Sequence, residues 1–263
     1  MVEKMKSNFI DEIKSKINKN KLLYPLDVLL VGGTGTGKST TLNALFGKTI
    51  AKVGTGVDPE TKKITSYQLH KYLRFHDSAG LGDGKVADLK HAKNISAKLR
   101  RACCSNGKSY GYIDIVIVLL DGSSRDLGTA FRLLESVVLK AIDPQRVIVA
   151  INQADIAMSG RHWNSQTNQP EQALIDFLEE QAQSVQRRIK ESTGLMIRKP
   201  VYFSAQFSYN IENLINQIIE YMPLSRRTIN AVNVTAEGAQ FGTAGRIDGA
   251  PMRLFSAISS MFR

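Results

Sequence analysis

The sequence predicts an α/β fold: a mostly parallel six-stranded sheet with helices on both faces. Apolar, β-branched runs at residues 113–120 and 146–151 have the composition of strands buried on both faces, and a shorter apolar run stands at 27–31. Helical periodicity recurs between the strands, at 38–46, 86–103, 127–140, 171–192 and 211–221. The first run leads through a glycine loop directly into a helix, so the chain opens as strand, loop, helix. Alternation of this kind is what a parallel sheet needs, because each crossover must return over one face.

Ahead of the first strand, residues 1–20 place Phe9, Ile13 and Ile17 four apart, with Ile10 beside them and lysines on the other faces. An amphipathic helix packed on the domain is expected. Residues 64–69 and 72–76 read as two adjacent strands, and 200–203 as the last. Beyond Pro223 the composition turns to Thr, Ala, Gly and Asn, with four glycines from Gly238 to Gly249, as in a flexible linker. The linker ends in 251–263, where Met252, Phe255, Ile258 and Phe262 recur at helical spacing. The expected organisation is an N-terminal amphipathic helix (1–24), a main domain (25–222) and a linker with a short terminal helix (223–263). That last helix either docks on its own domain or meets a membrane or partner. There is no internal repeat.

Bulk properties narrow the class. With 43% hydrophobic and 22% charged residues in 263, the chain has the make-up of a soluble globular protein. The longest apolar run, 115–120, is far short of the roughly twenty residues that cross a bilayer. The lysine-rich start lacks the apolar stretch of a secretory signal. Cys103 and Cys104 are neighbours, which suits neither a disulfide framework nor metal-ligand spacing, so they read as reduced thiols of a cytoplasmic protein. The net charge of +11 is uneven: residues 84–110 hold seven basic side chains against Asp88 alone. This stretch is either a solvated helix face or a docking surface for RNA, ribosome or anionic lipid. His70, His76, His91 and His162 form no metal-like grouping, and Trp163 with its polar neighbours reads as a surface loop.

The chemistry is concentrated in short motifs. Gly32-Gly33-Thr34-Gly35-Thr36-Gly37-Lys38-Ser39 fits the phosphate-binding pattern G-x-x-x-x-G-K-[ST] between a strand and a helix. Its glycines let main-chain N–H groups wrap phosphate oxygens, and Thr40 continues the cradle into the helix. Lys38 is expected to reach the β- and γ-phosphates, and the Ser39 hydroxyl to coordinate Mg²⁺. After the strand at 147–151 comes Asn152-Gln153-Ala154-Asp155. His76-Asp77-Ser78-Ala79-Gly80 supplies D-x-x-G, Gly56-Val57-Asp58-Pro59-Glu60-Thr61 lies between the first two motifs, and Ser204-Ala205 follows the last strand.

In this order the motifs resemble those of Era-like, translation-factor-related bacterial P-loop GTPases of the ribosome-binding type, over about residues 26–221. The resemblance implies a G domain that binds GTP and GDP with Mg²⁺ and hydrolyses GTP slowly as a switch. It assigns Asp155 to the guanine N1–H and exocyclic amine, Asn152 to a tie with the phosphate loop, and Gln153, in the place of a lysine, to one face of the base. Adenine lacks that donor pair and would leave a carboxylate unpaired. The Ala205 N–H, next to Ser204, is assigned to guanine O6. Asp77 would hold Mg²⁺ through water, Thr61 would complete the metal shell, and the Gly80 N–H would meet the γ-phosphate; Lys38, Thr61 and Gly80 thus form the expected catalytic set.

Two departures mark the subset. Leu81 stands where Ras-like enzymes carry a water-orienting glutamine, a hydrophobic substitution many of whose bearers complete their site through dimerisation, a partner or a bound cation. Gly35 stands where the cation-assisted members carry asparagine or serine. Asp83 is a candidate for orienting water. Arg125 either offers charge to a nucleotide, its own or a neighbour's, or pairs with Asp126 on the surface. Three partner readings are carried: a ribosome/RNA or protein effector on the basic helix after Gly80, a G-domain homodimer, and peripheral membrane contact through the terminal helices of a self-assembling protein with little hydrolysis.

Overall fold

The computed structural model describes residues 2–47, 64–80, 82, 84–124 and 128–227. In chain order the elements are α1 (Val2–Lys19), β1 (Leu26–Gly32), α2 (Lys38–Phe46), β2 (Thr65–His70), β3 (Leu73–Asp77), α3 (Lys85–Arg100), β4 (Ala102–Ser105), β5 (Lys108–Gly111) and β6 (Ile115–Asp121). Then follow α4 (Gly128–Leu133), continued by a π-helical turn (Leu134–Val138) into α5 (Leu139–Ala141), and β7 (Val147–Asn152). The short pair β8 (Trp163–Asn164) and β9 (Gln169–Pro170) precedes α6 (Gln172–Thr193), β10 (Val201–Tyr202) and α7 (Ile211–Glu220).

Six strands form one sheet in the order β10-β7-β6-β1-β3-β2, and all pairs are parallel except β2 with β3. β1 lies inside the sheet, and side-chain alternation divides its residues between two cores. Val28 and Leu30 pack with α1, α2 and α7, whereas Leu29 and Val31 pack with α3, the π-turn segment and α6. The fold class expected from the sequence is the one observed.

The N-terminal helix gives its apolar stripe to the domain. Phe9, Ile13 and Ile17 are buried in the first core, Lys16 Nζ donates to the Ile219 carbonyl at 2.8 Å, and Asn20 Nδ2 donates to the Pro223 carbonyl at 3.1 Å. That stripe is therefore spent on the core rather than left for a membrane, which corrects one of the two expected anchors. The other anchor, at 251–263, lies outside the described residues, as does all of the glycine-bearing linker from 228 onward.

Three local expectations are revised. The helix expected to reach Cys103 stops at Arg100, and Cys103 lies in the β4–β5 hairpin. Its turn is Asn106-Gly107, both at positive φ, the geometry that lets a two-residue turn follow the strand twist. Trp163 is half-buried in a second small hairpin, its ring 5.5 Å from that of Phe207 and 5.7 Å from that of Tyr209. Residues 224–227, expected in the linker, run back along the domain: the Gly111 N–H donates to the Arg227 carbonyl at 2.7 Å, and Arg146 Nη2 donates to the Ser225 carbonyl at 2.8 Å.

The strand starts carry a polar network unusual for such a position. Asp27, 5% exposed, accepts Arg74 Nε at 2.6 Å and Arg74 Nη2 at 2.9 Å, and lies 2.7 Å from His76 Nε2. Burial lowers the His76 pKa, so the ring is neutral at pH 7; with Nε2–H turned to Asp27, its Nδ1 accepts from Ser66 Oγ at 2.7 Å. Asp114 Oδ2 accepts the Asp27 N–H at 2.9 Å, and the loss of water around the Asp114 carboxyl pushes it up to about 7, against the pull of Arg146 and Arg227.

Two measurements follow. Ile13→Ala should lower urea-derived stability by about 2–5 kcal/mol, the cost of a core cavity, while Lys14→Ala on the exposed face leaves it within error. Equal effects would mean the helix is not docked. For Asp114, a raised folded pKa means that the folded chain holds the extra proton between pH 4 and 7, so this group's contribution is present at low pH and is lost as pH rises to about 7. Asp114→Asn keeps the acceptor and removes the charge. Its stability curve should lack that decline and lie about 2–4 kcal/mol higher relative to the parent at pH 8 than at pH 4; parallel curves would refute the assignment.

Candidate functional site

The site lies at the carboxyl ends of the parallel strands, where β1, β3, β7 and β10 each hand the chain to a loop. β1 ends at Gly32, and the loop that follows turns back on itself before α2 begins. Gly35 and Gly37 both sit at φ +80°, a region that side chains with a Cβ avoid. A Cβ on Gly37 would stand 2.3 Å from Asn152 Nδ2, so the glycine there also makes room for the base-side loop. Thr36 Oγ1 donates to the Gly33 carbonyl at 2.9 Å, closing the turn. Lys38, 7% exposed, donates from Nζ to the Gly33 carbonyl at 2.8 Å and the Gly32 carbonyl at 3.3 Å, which folds the ammonium over the cradle formed by residues 33–37. Thr34 and Gly35 are exposed at the rim, and Thr40 is half-buried in the first turn of α2.

At the end of β3, Asp77 is 1% exposed and accepts from Ser39 Oγ at 3.1 Å, while its Oδ1 is buried without a hydrogen-bond partner. Burial pushes the carboxyl up to about 6; Lys38 and the Ser39 hydroxyl act in the opposite direction. A buried carboxylate with one unsatisfied oxygen beside a serine hydroxyl is a pair of hard oxygen donors, the ligand type that Mg²⁺ takes. Gly80 lies against the phosphate loop so closely that a Cβ would meet Thr34 Cα at 2.6 Å and Thr34 N at 2.7 Å. Any larger residue would push the D-x-x-G segment off the loop.

The base side is organised by one amide. Asn152, 2% exposed, donates from Nδ2 to the Thr36 carbonyl at 2.9 Å and accepts at Oδ1 from the Ala205 N–H at 3.0 Å. The side chain thus clasps the phosphate loop with one end and the Ser204-Ala205 loop with the other. This gives the Ala205 N–H an internal acceptor, so it is not held in reserve for a base carbonyl alone. Gln153, at φ 65°, sends Nε2 to the Gly35 carbonyl at 2.8 Å, a second strap across the same gap. Asp155 Oδ1 is buried with no hydrogen-bond partner, as is Gln153 Oε1. Buried acceptors of this kind are costly unless something donates to them, and a purine edge with adjacent N–H groups is a matching donor. Ser204 is fully buried, its N–H donating to the Tyr209 carbonyl and its Oγ accepting the Phe207 N–H at 3.3 Å.

The structure therefore brings together residues 33–40, Asp77, Gly80, Asn152, Gln153, Asp155, Ser204 and Ala205. Thr61, Leu81, Asp83 and Arg125 lie outside the described residues. The Gln153 strap to Gly35 and the dual role of Gly37 were not read from the sequence; their signal, a glycine demanded by an asparagine 115 positions away, is invisible without coordinates. Among the described residues no group of three His, Cys, Asp or Glu side chains could hold a metal.

Gly35 and Gly37 share one backbone strain but differ in surroundings, which separates two effects. Gly35→Ala meets open space and should cost only the positive-φ strain, about 1 kcal/mol, whereas Gly37→Ala adds a collision with Asn152 and should weaken GDP binding by about tenfold or more. Denaturant melts and fluorescent-GDP titration read both, and equal losses would contradict the Asn152 contact.

Residues 27–153 match the 50S ribosome-binding GTPase family. The GTPase Der of Orientia tsutsugamushi is 21% identical over 224 residues, covering 82% of this chain and 42% of Der. The probable GTP-binding protein EngB of Thermotoga petrophila is 29% identical over 145 residues, covering 55% of this chain and 70% of EngB. The chain thus spans under half the length of the first of these relatives. In fold it is similar to Toc33 of Arabidopsis thaliana in complex with GDP and Mg²⁺, with a TM-score of 0.59, 16% identity, and coverage of 87% of this chain and 94% of that one.

Proposed function

We propose that this chain, which belongs to the Era-like P-loop GTPase superfamily, works as a Mg²⁺-dependent molecular switch that hydrolyses GTP to GDP and phosphate at a slow intrinsic rate. The observation that carries the choice of nucleotide is the buried Asp155 Oδ1, which has no hydrogen-bond partner and lies three residues beyond the Asn152 that clasps the phosphate loop. Guanine offers that oxygen and its partner two donors, and adenine offers no such pair.

In the proposed cycle Lys38 and the main-chain N–H groups of residues 33–37 balance the phosphate charge, and Ser39, Thr61 and, through water, Asp77 would hold Mg²⁺. When bound, the ion neutralises charge on the β- and γ-phosphate oxygens. In the proposed switch Gly80 brings the D-x-x-G segment to the γ-phosphate, and loss of that phosphate on hydrolysis releases the contact. Leu81 has no group that orients water. The proposed remedy is a second copy of the G domain, or an effector, that completes the site, and this accounts for the slow rate of the single chain. The effector surface proposed for the GTP-bound state is the exposed basic face of α3, with Lys90 and Lys93, and its partner is a ribosomal RNA or protein. The proposed location is the cytoplasm; no described helix is long and apolar enough to cross a membrane.

Calorimetry with purified chain should show GDP binding about 100-fold or more tightly than ADP, and Asp155→Ala should erase most of that gap while leaving ADP unchanged. Equal affinity for the two nucleotides in the parent would sink the guanine assignment. Turnover per molecule that climbs with protein concentration supports the completed-site reading, and a flat dependence without an effector removes the homodimer.

A further inference from the structure

Half of the chain's eight tyrosines gather at the foot of the sheet, where the parallel strands begin, the length of a strand (~20 Å) from the phosphate loop. Tyr24 precedes β1, Tyr72 precedes β3, Tyr110 lies in β5 opposite Cys103, and Tyr112 leads into β6. Between them opens a cleft of about 240 Å³, lined by Tyr24, Tyr110 and Tyr112 together with Arg74, Arg226 and Arg227. Tyr24 is 65% exposed and stands edge-on to Tyr72, their centroids 5.5 Å apart.

Three of the four rings, those of Tyr72, Tyr110 and Tyr112, have a cation over them. Lys71 Nζ lies 5.0 Å from the Tyr72 centroid, and Arg226 Cζ lies 5.1 Å from that of Tyr110. The Tyr112 ring is met by Arg101 at 4.5 Å, Lys98 at 4.7 Å and Arg74 at 5.3 Å. Two acids face the cleft, but Asp27 is engaged by Arg74 and His76, and the Asp114 charge is opposed by burial. The balance is cationic, with aromatic faces between the charges. The basic face of α3 differs in kind: it carries exposed lysines, and its sequence holds no Phe, Tyr or Trp.

We propose that this cleft binds single-stranded nucleic acid, unpaired bases stacking on Tyr24 and Tyr110 while phosphates meet Arg226, Arg101 and Lys71. Alternating aromatic faces and cations are what a flexible polyanion with exposed bases requires, and a duplex, whose bases are already stacked on one another, offers only its phosphates. The inference rests on the RNA part of the proposed function for the class of partner, and it gives unpaired segments a second surface, separate from the α3 effector face. It does not require bound guanine nucleotide, because the cleft and the nucleotide loops lie at opposite ends of the sheet.

The test uses the full chain and a fluorescein-labelled single-stranded RNA 12-mer, with the duplex of the same sequence as comparison, by anisotropy at low salt. The single strand should bind about tenfold more tightly than the duplex. Tyr24→Ala should lose about five- to tenfold in affinity, and Arg226→Ala should weaken binding and make the salt slope shallower by about 0.7, the share of one phosphate. Lys90→Ala/Lys93→Ala should stay within about twofold of the parent, and GDP affinity should be unchanged in all variants, which also certifies their folding. Equal binding of strand and duplex, or no binding by the parent, overturns the proposal. So do foot variants that bind like the parent while the α3 variant fails, but that outcome leaves the α3 effector reading standing. The effector reading falls separately, if the GTP-loaded chain does not sediment with ribosomal particles.

Discussion

One buried carboxamide holds the two halves of the nucleotide site together. Asn152 reaches the Thr36 carbonyl with its N–H and takes the Ala205 N–H on its oxygen, so the phosphate loop after β1 and the loop after β10 share one side chain. Both bonds are buried, where an unmade bond is expensive and a made one fixes geometry. The rest of the site depends on this clasp. Gly37 must be a glycine because the carboxamide stands where a Cβ would go, and Gln153 adds a parallel strap to Gly35 from the adjacent position.

The sheet that carries this site has two chemically distinct ends. At the carboxyl ends of the strands the polar groups include loop amides, Lys38, Ser39, Ser204 and the carboxylates Asp77 and Asp155, each carboxylate with an oxygen that nothing in the described chain satisfies. At the foot, Asp27, Asp114, Arg74, Arg146 and His76 satisfy one another across β1, β3 and β6, and the tyrosine rings stack among the surrounding cations. Satisfied networks fix strand starts in register; the unsatisfied acceptors at the other end are what a ligand completes. Hydrogen-bond accounting separates the carboxylates of the two ends.

Much of this was legible in the sequence, for a stated reason in each case. β6 and β7 are unbroken apolar runs because both faces of the central sheet are covered, and the G-x-x-x-x-G-K-S loop is read from local backbone chemistry alone. The β4–β5 hairpin was missed although Asn106-Gly107 is a strong two-residue turn signal. The basic residues and apolar spacing of 86–103 continue a helical pattern through Arg101, where the chain in fact turns to an extended conformation. The foot network was not legible at all. Its members come from positions 27, 66, 74, 76, 114 and 146, and only strand register brings them together: parallel pairing of β1 with β3 and β6 and of β6 with β7, and the antiparallel β2–β3 pair that sets Ser66 opposite His76. Nor does any sequence pattern say that the stripe of α1 is taken by α7, since the same amphipathic periodicity serves a domain core or a membrane surface.

Amide hydrogen exchange on Asn152→Ala, without ligand, tests the clasp most directly. The account predicts faster exchange in two separated segments at once, residues 32–40 and 203–208, with the strand amides of β1 and β6 keeping their protection. Loosening confined to one segment, or to neither, would show that the two loops are held independently and that the shared carboxamide is not what unites the site.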